Sequence, residues 1–179
     1  MYSKTYYEKI KIIRGFNYKN IHEFPFSVPK ITLFYTLKKD ISLKALIRIS
    51  AFLELITGQR AYFLRAKKSS VFLKIRKGAP LGVKVTLRNT KSTQFLFRLI
   101  WEILPSLKKF KITPKLTKVK QNSLNSIMIF ISDPLIFYEL KNFYFFFKNC
   151  TDLRIQISFS KSYTREELFF ITRLLKLPS

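Results

Sequence analysis

Apolar and polar residues alternate in three stretches of the chain. Over residues 28–37, Ile31, Leu33, Tyr35 and Leu37 alternate with Lys30, Thr32 and Thr36, and Phe34 breaks the polar series. A period of two predicts a half-buried strand. Residues 81–88 show the cleanest case, with Leu81, Val83, Val85 and Leu87 on one face and Gly82, Lys84, Thr86 and Arg88 on the other. Residues 153–159 repeat it: Leu153, Ile155, Ile157 and Phe159 face inward, Arg154, Gln156 and Ser158 outward. Residues 60–65 and 127–131 are further strand candidates. Helical spacing governs the rest. Leu43, Leu46, Ile47, Ile49, Phe52, Leu53 and Ile56 predict a helix over 42–57, capped by Asp40 or Ser42 and stopped by Gly58. Phe95, Leu96, Leu99, Ile100 and Ile103 predict a second helix, capped by Ser92 and ended at Leu104 by Pro105. Helices are also expected over 6–14, ending at Gly15, over 134–147, and over 164–176, where Thr164-x-x-Glu167 forms a capping box. Between 105 and 126 the Lys, Thr, Ser, Asn and Pro residues predict an irregular loop.

Strands with one apolar face and helices with one apolar stripe pack most simply as a two-layer α+β fold. Its sheet is mainly antiparallel, with helices on one face and the other face open. One domain is expected over 1–179, comprising an N-terminal helix and extended segment (1–27), a protruding basic loop (66–80) and an irregular basic loop (105–126). The open face would carry Lys30, Thr32, Lys84, Thr86, Arg88, Arg154, Gln156 and Ser158, with no carboxylate among them. A solvated face normally mixes charges of both signs. The asymmetry therefore points to a polyanionic partner.

Composition strengthens that expectation and removes others. The 179 residues include 34 Lys+Arg and 10 Asp+Glu, a net charge of +24. With 47% hydrophobic residues the chain is too apolar to be a disordered basic tail, and a chain of this length buries roughly 70% of its unfolded surface. The single cysteine, Cys150, forms no intrachain disulfide, and with the single histidine, His22, it cannot build a His/Cys zinc site. No G-x-S-x-G, GxGxxG or Walker loop is present, the acidic residues are scattered, and no apolar run approaches the about 20 residues of a membrane span. No enzyme, cofactor, metal or membrane role is expected. Lys4, Lys9, Lys11 and Arg14 loosely fit a mitochondrial presequence, but the tyrosines and scarce serine there favour a helix of the mature protein. Abundant Phe, Tyr, Ile, Lys and Asn have A/T-rich codons, which suits an organellar gene.

The densest charge lies in Arg65-Ala-Lys-Lys-Ser-Ser-Val-Phe-Leu-Lys-Ile-Arg-Lys-Gly78, with six cations in 14 residues and no acid. Such a loop attracts phosphate. Val71, Phe72 and Leu73 at its tip either pack onto the body or stack on a nucleotide, and packing is the expected fate. The competing reading of the whole chain is an organellar RNA-processing or RNA-chaperone factor. A lipid-held peripheral protein would need an amphipathic basic helix, which the sequence lacks.

Leu55-Ile-Thr-Gly-Gln-Arg60, Arg65-Ala-Lys-Lys-Ser69, Lys74-Ile-Arg-Lys-Gly78 and Pro80-Leu-Gly-Val-Lys-Val-Thr-Leu-Arg88 together resemble the central block of the large-subunit ribosomal protein five family, in its bacterial and organellar form. Tyr6-Tyr7-Glu8, Asn17-Tyr-Lys-Asn-Ile-His-Glu-Phe-Pro25 and Leu174-Leu-Lys-Leu-Pro178 resemble its two ends. The resemblance implies a non-catalytic protein of the central protuberance. Its implied partners are 5S rRNA where the ribosome has one, large-subunit rRNA, peptidyl-site tRNA, neighbouring large-subunit proteins and a small-subunit protein across the interface. No homo-oligomer is expected. Carried over, the 5S rRNA surface draws on Asn20, Gln59, Thr86 and Arg88, and the tRNA-facing loop is 69–78, flanked by Arg65, Lys67 and Lys68. The cations and turn of that loop are Lys74, Arg76, Lys77 and Gly78, beginning at Ser69. Two segments depart from the family pattern. Residues 34–40 replace a glycine-containing turn, and residues 108–126 contain no glycine where the family is glycine-rich. An organelle-encoded protein of the mitochondrial ribosome is expected, ahead of a plastid one.

Overall fold

The computed structural model describes residues 28–36, 43–72, 75–107, 110–116, 124–148, 150, 152–163 and 167. The helix expected over 6–14, nearly all of that over 164–176, and His22, Asn20, Leu73 and Lys74 lie outside the described residues. Among the described residues six strands, β1 (Lys30–Thr36), β2 (Tyr62–Arg65), β3 (Pro80–Arg88), β4 (Phe110–Leu116), β5 (Leu124–Ile131) and β6 (Leu153–Tyr163), form one sheet in the order β2-β3-β1-β6-β5-β4. Every pairing is antiparallel. The fold is thus α+β with an open sheet, as the alternation predicts.

One face of this sheet is dry. Ile31 and Leu33 of β1, Val83, Val85 and Leu87 of β3, Ile127, Ile129 and Ile131 of β5, and Leu153, Ile155 and Ile157 of β6 are all buried. Helix α1 (Leu43–Thr57) lays Leu46, Ile49, Phe52, Leu53 and Ile56 into the same core. Gly58, at φ +62°, ends it, its N–H donating to the Glu54 carbonyl. Each fully buried Leu, Ile or Phe contributes about 1.5–3 kcal/mol, so this one-sided burial fixes which sheet face meets the helices and which does not.

Three expectations need correction. The segment 105–126 is not all loop, because β4 pairs with β5 along its length. Pro114 is tolerated there since β4 is an edge strand, where one side of the backbone makes no ladder bonds. The second helix, α2 (Asn89–Arg98), starts before Ser92 and runs through a π-helical turn (Leu99–Ile103) into a last turn (Leu104–Ser106). A proline ring collides with the carbonyl four residues back, here that of Trp101, and the wider π turn contains that residue. The helix expected over 134–147 is broken into a 3-10 turn (Pro134–Ile136), α3 (Tyr138–Lys141) and α4 (Tyr144–Phe147). Its break falls at Phe143, whose φ of −113° and ψ of 28° leave the helical region. Phe147 of α4 still reaches the core, edge-on to Phe52 with centroids 5.7 Å apart.

Ser92 caps nothing but serves another purpose. Fully buried, its hydroxyl lies 2.7 Å from the Asn89 carbonyl and 3.0 Å from that of Val28, so it ties α2 to the chain entering β1. Ser92→Ala should lower unfolding free energy by about 1–2 kcal/mol, the cost of stranding a buried acceptor, measured as a shifted urea midpoint at constant slope.

Candidate nucleic-acid interface

The other sheet face is built by register. Directly opposed residues of antiparallel strands share a face, so the pairings define rows that cross the sheet. One row runs Arg88, Lys30, Ser158, Ser126 and Lys115. The next runs Thr86, Thr32, Gln156, Met128 and Thr113. The third crosses all six strands as Tyr62, Lys84, Phe34, Arg154, Phe130 and Lys111. No acidic residue occupies any of these positions. All eight residues expected on the open face fall in these three rows.

The rows differ chemically. The first places the exposed cations Lys30 and Arg88 side by side. The second offers hydroxyl and amide groups; Gln156 Nε2 donates to Ser126 Oγ at 3.2 Å. In the third, Lys84 Nζ sits 5.3 Å from the Tyr62 ring centroid and the Arg154 guanidinium 5.7 Å from that of Phe130. Lys84, Thr86, Thr32, Arg154, Gln156 and Ser158 are half-buried, while Ser126 and Met128 on β5 are buried. The face is therefore more shielded on its β5 side than alternation alone suggests.

Acids are spent elsewhere. Glu54 Oε1 accepts from the Ala61 N–H at 2.9 Å. Arg98 of α2 pairs with Glu139 of α3 and with Glu102, 3.4 Å away. Among the described residues, Lys30, Lys84, Arg88 and Arg154 make no ion pair with a carboxylate. No acid of the described residues compensates their field, and an uncompensated basic field is how a surface attracts phosphate.

The basic loop is a hairpin-like projection. At its base the Ala66 N–H donates to the Ala79 carbonyl at 2.8 Å and the Gly78 N–H to the Ala66 carbonyl at 2.9 Å. Further out, Ser70 and Ile75 exchange both backbone bonds, at 2.9 and 3.0 Å. Gly78 has φ +87°, a left-handed turn that closes the stem. Arg65, Lys67, Lys68, Ser69, Arg76, Lys77 and Gly78 are exposed. Val71 and Phe72 do not pack back onto the body: they are 94% and 96% exposed. The stem's backbone bonds hold the tip away from the core.

Gln59 stands in the turn between α1 and β2, its N–H 3.3 Å from Thr57 Oγ1, and the structure does not bring it into a strand row. Sequence reasoning missed Tyr62, Phe34 and Phe130 as face residues. Phe34 had a usable signal, the same parity as Thr32 and Thr36. The helical side offers little chemistry. A cleft of about 610 Å³ between α1 and α4 is lined by the apolar Ile47, Ala51, Leu55, Phe143, Phe146 and Phe147 together with Arg48 and Glu54. Cys150 is buried, and loss of water pushes its thiol above the usual range, against a smaller opposing pull from Arg48. Among the described residues, His, Cys, Asp and Glu form no group able to hold a metal, and no helix is long and apolar enough to cross a membrane.

No family model matches the chain. It is similar to large ribosomal subunit protein uL5m of Reclinomonas americana, 41% identical over 145 residues that cover 79% of this chain and 78% of that protein. The chain belongs to the uL5 family. It is similar also to uL5 of Trichodesmium erythraeum, 39% identical over 142 residues covering 77% of this chain and 76% of the relative. To uL5 of Gloeothece citriformis it is 44% identical over 110 residues, 60% of this chain and 61% of the relative. The uL5 likeness thus joins one mitochondrial protein to bacterial ones and agrees with the resemblance carried by the central motif block.

Proposed function

We propose that this uL5-family chain holds ribosomal RNA against its sheet face and presents its basic hairpin to tRNA. Its relatives are named as large ribosomal subunit proteins, and the chain is accordingly a structural, non-enzymatic constituent of that subunit, acting in translation. The finer assignment rests chiefly on one observation: three register-aligned rows of cations, hydrogen-bonding groups and aromatic rings without a carboxylate. Phosphate contacts set affinity and orientation, and side-chain amides and hydroxyls between the cations supply hydrogen bonds to sugars and base edges.

On this reading, Lys30, Thr32, Lys84, Thr86, Arg88 and Arg154 contact 5S rRNA and large-subunit rRNA in the central protuberance, and Asn20 and Gln59 contribute as well. Arg65, Lys67, Lys68, Ser69, Lys74, Arg76, Lys77 and Gly78 face the peptidyl-site tRNA. Protein neighbours in the large subunit and one small-subunit protein complete the surroundings. The abundance of residues whose codons are A/T-rich and the likeness to a mitochondrial uL5m support residence in a mitochondrial ribosome.

The two surfaces are separable by mutation. Lys74→Ala, Arg76→Ala and Lys77→Ala together should reduce peptidyl-site tRNA occupancy about tenfold, as loss of charge-assisted phosphate contacts requires, while binding to 5S rRNA changes less than about twofold. Filter binding of tRNA to reconstituted ribosomes measures the first and gel shift the second. Loss of both together would make the hairpin a structural element and defeat the assignment.

A further inference from the structure

The third row of the sheet face has an order that charge alone does not require. Across five strands it alternates ring and cation: Tyr62, Lys84, Phe34, Arg154 and Phe130. Two of the cations already lie against rings, Lys84 on Tyr62 and Arg154 on Phe130. Tyr62 is 65% exposed on an edge strand, where an apolar surface would ordinarily be covered or replaced by charge. A face that needed only to neutralise phosphate would gain nothing from three aromatic rings set between its cations.

We infer that this row is a stacking platform for unpaired nucleobases, so that the face takes a splayed single-stranded or bulged RNA segment and not a continuous duplex. The spacing argues for this. Neighbouring strands lie about 4.8 Å apart, so rings on every second strand stand about 10 Å from one another. Bases stacked in a helix are about 3.4 Å apart and cannot each meet a ring in this row. Bases turned out of the stack can, one to each ring, with Lys84 and Arg154 between them in reach of the phosphates that link consecutive nucleotides. Every base has a π face, so such a platform tolerates sequence. The neighbouring row, with Thr86, Thr32 and Gln156, lies where hydrogen bonds to base edges or ribose hydroxyls would discriminate. This inference rests on the reading of the open face as an RNA-binding surface and specifies which form of RNA it takes.

The test compares two probes on the full chain: an oligouridylate of about 12 nucleotides, within the usual single-strand site sizes, and an RNA duplex of similar length. A variant carrying Tyr62→Leu, Phe34→Leu and Phe130→Leu keeps apolar volume and every charge but removes the rings. Its single-strand affinity should fall about tenfold or more, with duplex affinity and the salt dependence of both unchanged. Equal binding of oligouridylate by the variant and the native protein would overturn the platform while leaving the electrostatic face standing. Failure of the native protein to bind either RNA in a salt-dependent way would overturn both. Should the triple variant not fold, zero-length ultraviolet crosslinking of oligouridylate to the native chain decides the matter. Crosslinks at Tyr62, Phe34 or Phe130 support the platform, and crosslinks confined to other residues overturn it.

Discussion

Gly82→Ala should cripple the fold, lowering unfolding free energy by about 3 kcal/mol or more, at or beyond the upper end of ordinary overpacking. Gly82 pairs with Thr36 of β1 on one side and Leu64 of β2 on the other. A methyl built on it would overlap the Tyr35 carbonyl oxygen and stand 3.1 Å from Thr36 Cα. Those atoms are backbone held in a ladder, so no side chain can swing aside to make room. Relief requires β1 and β3 to part, and with them the alignment of Lys84 with Phe34 and of Arg88 with Lys30. Against a total stability of about 5–15 kcal/mol, that loss is large. Gly58→Ala is the control: nothing lies within 4 Å of its added methyl, and only the left-handed φ of +62° opposes it, at about 1–2 kcal/mol. Urea titration of the two variants should separate them clearly. A Gly82→Ala protein as stable as the Gly58→Ala one would show that β1 and β3 do not approach as closely as described.

The second large effect concerns charge. Replacing Lys30, Lys84, Arg88 and Arg154 together by alanine should weaken rRNA binding about 100- to 1000-fold, taking each lost contact at about 1 kcal/mol or slightly less. The slope of log K against log salt should become shallower by about 3–4. All four lie on strands whose core-facing neighbours are unchanged, and Lys30 and Arg88 are exposed, so the fold should survive, as circular dichroism would verify. The informative comparison is Lys44→Ala with Lys141→Ala. These exposed lysines lie on α1 and α3, on the helical side of the sheet. Removing them lowers net charge without touching the rows, and binding should change less than about threefold. A similar loss from both sets would mean that RNA responds to total charge, and that the face has no special part.

Much of this surface is legible in the sequence because period-two alternation with one-sided charge is local information. Ile31, Leu33, Val83, Val85, Ile155 and Ile157 declare the buried face, and Lys30, Lys84, Arg88 and Arg154 follow on the other by parity. What parity cannot supply is register. That Tyr62 meets Lys84, or that Phe34 lies between Lys84 and Arg154, depends on pairings between strands up to 120 residues apart in sequence. The ring-and-cation order is invisible until those pairings are known. Strand β4 failed for a different reason. Phe110, Ile112, Pro114 and Leu116 do alternate with Lys111, Thr113 and Lys115, but proline and lysine read as loop unless the strand is known to be an edge. The apolar run at residues 143–147 misled in the opposite direction. Its aromatic residues have modest helix propensity, and the chain crossing from β5 to β6 breaks into short turns there. Sequence alone predicts that the tip, Val71 and Phe72, packs, because apolar residues commonly do; only the stem bonds reveal that it stands clear.

On the function proposed above, the carboxylate-free sheet face, and not the charge of the molecule at large, meets RNA. A photoreactive side chain placed at Arg88 in intact large subunits tests it most directly. Ribosomal RNA should be the dominant crosslinked partner, and the same probe at Lys44 on α1 should crosslink RNA far less. Crosslinks from position 88 to protein alone, or equal RNA crosslinking from both positions, would contradict it.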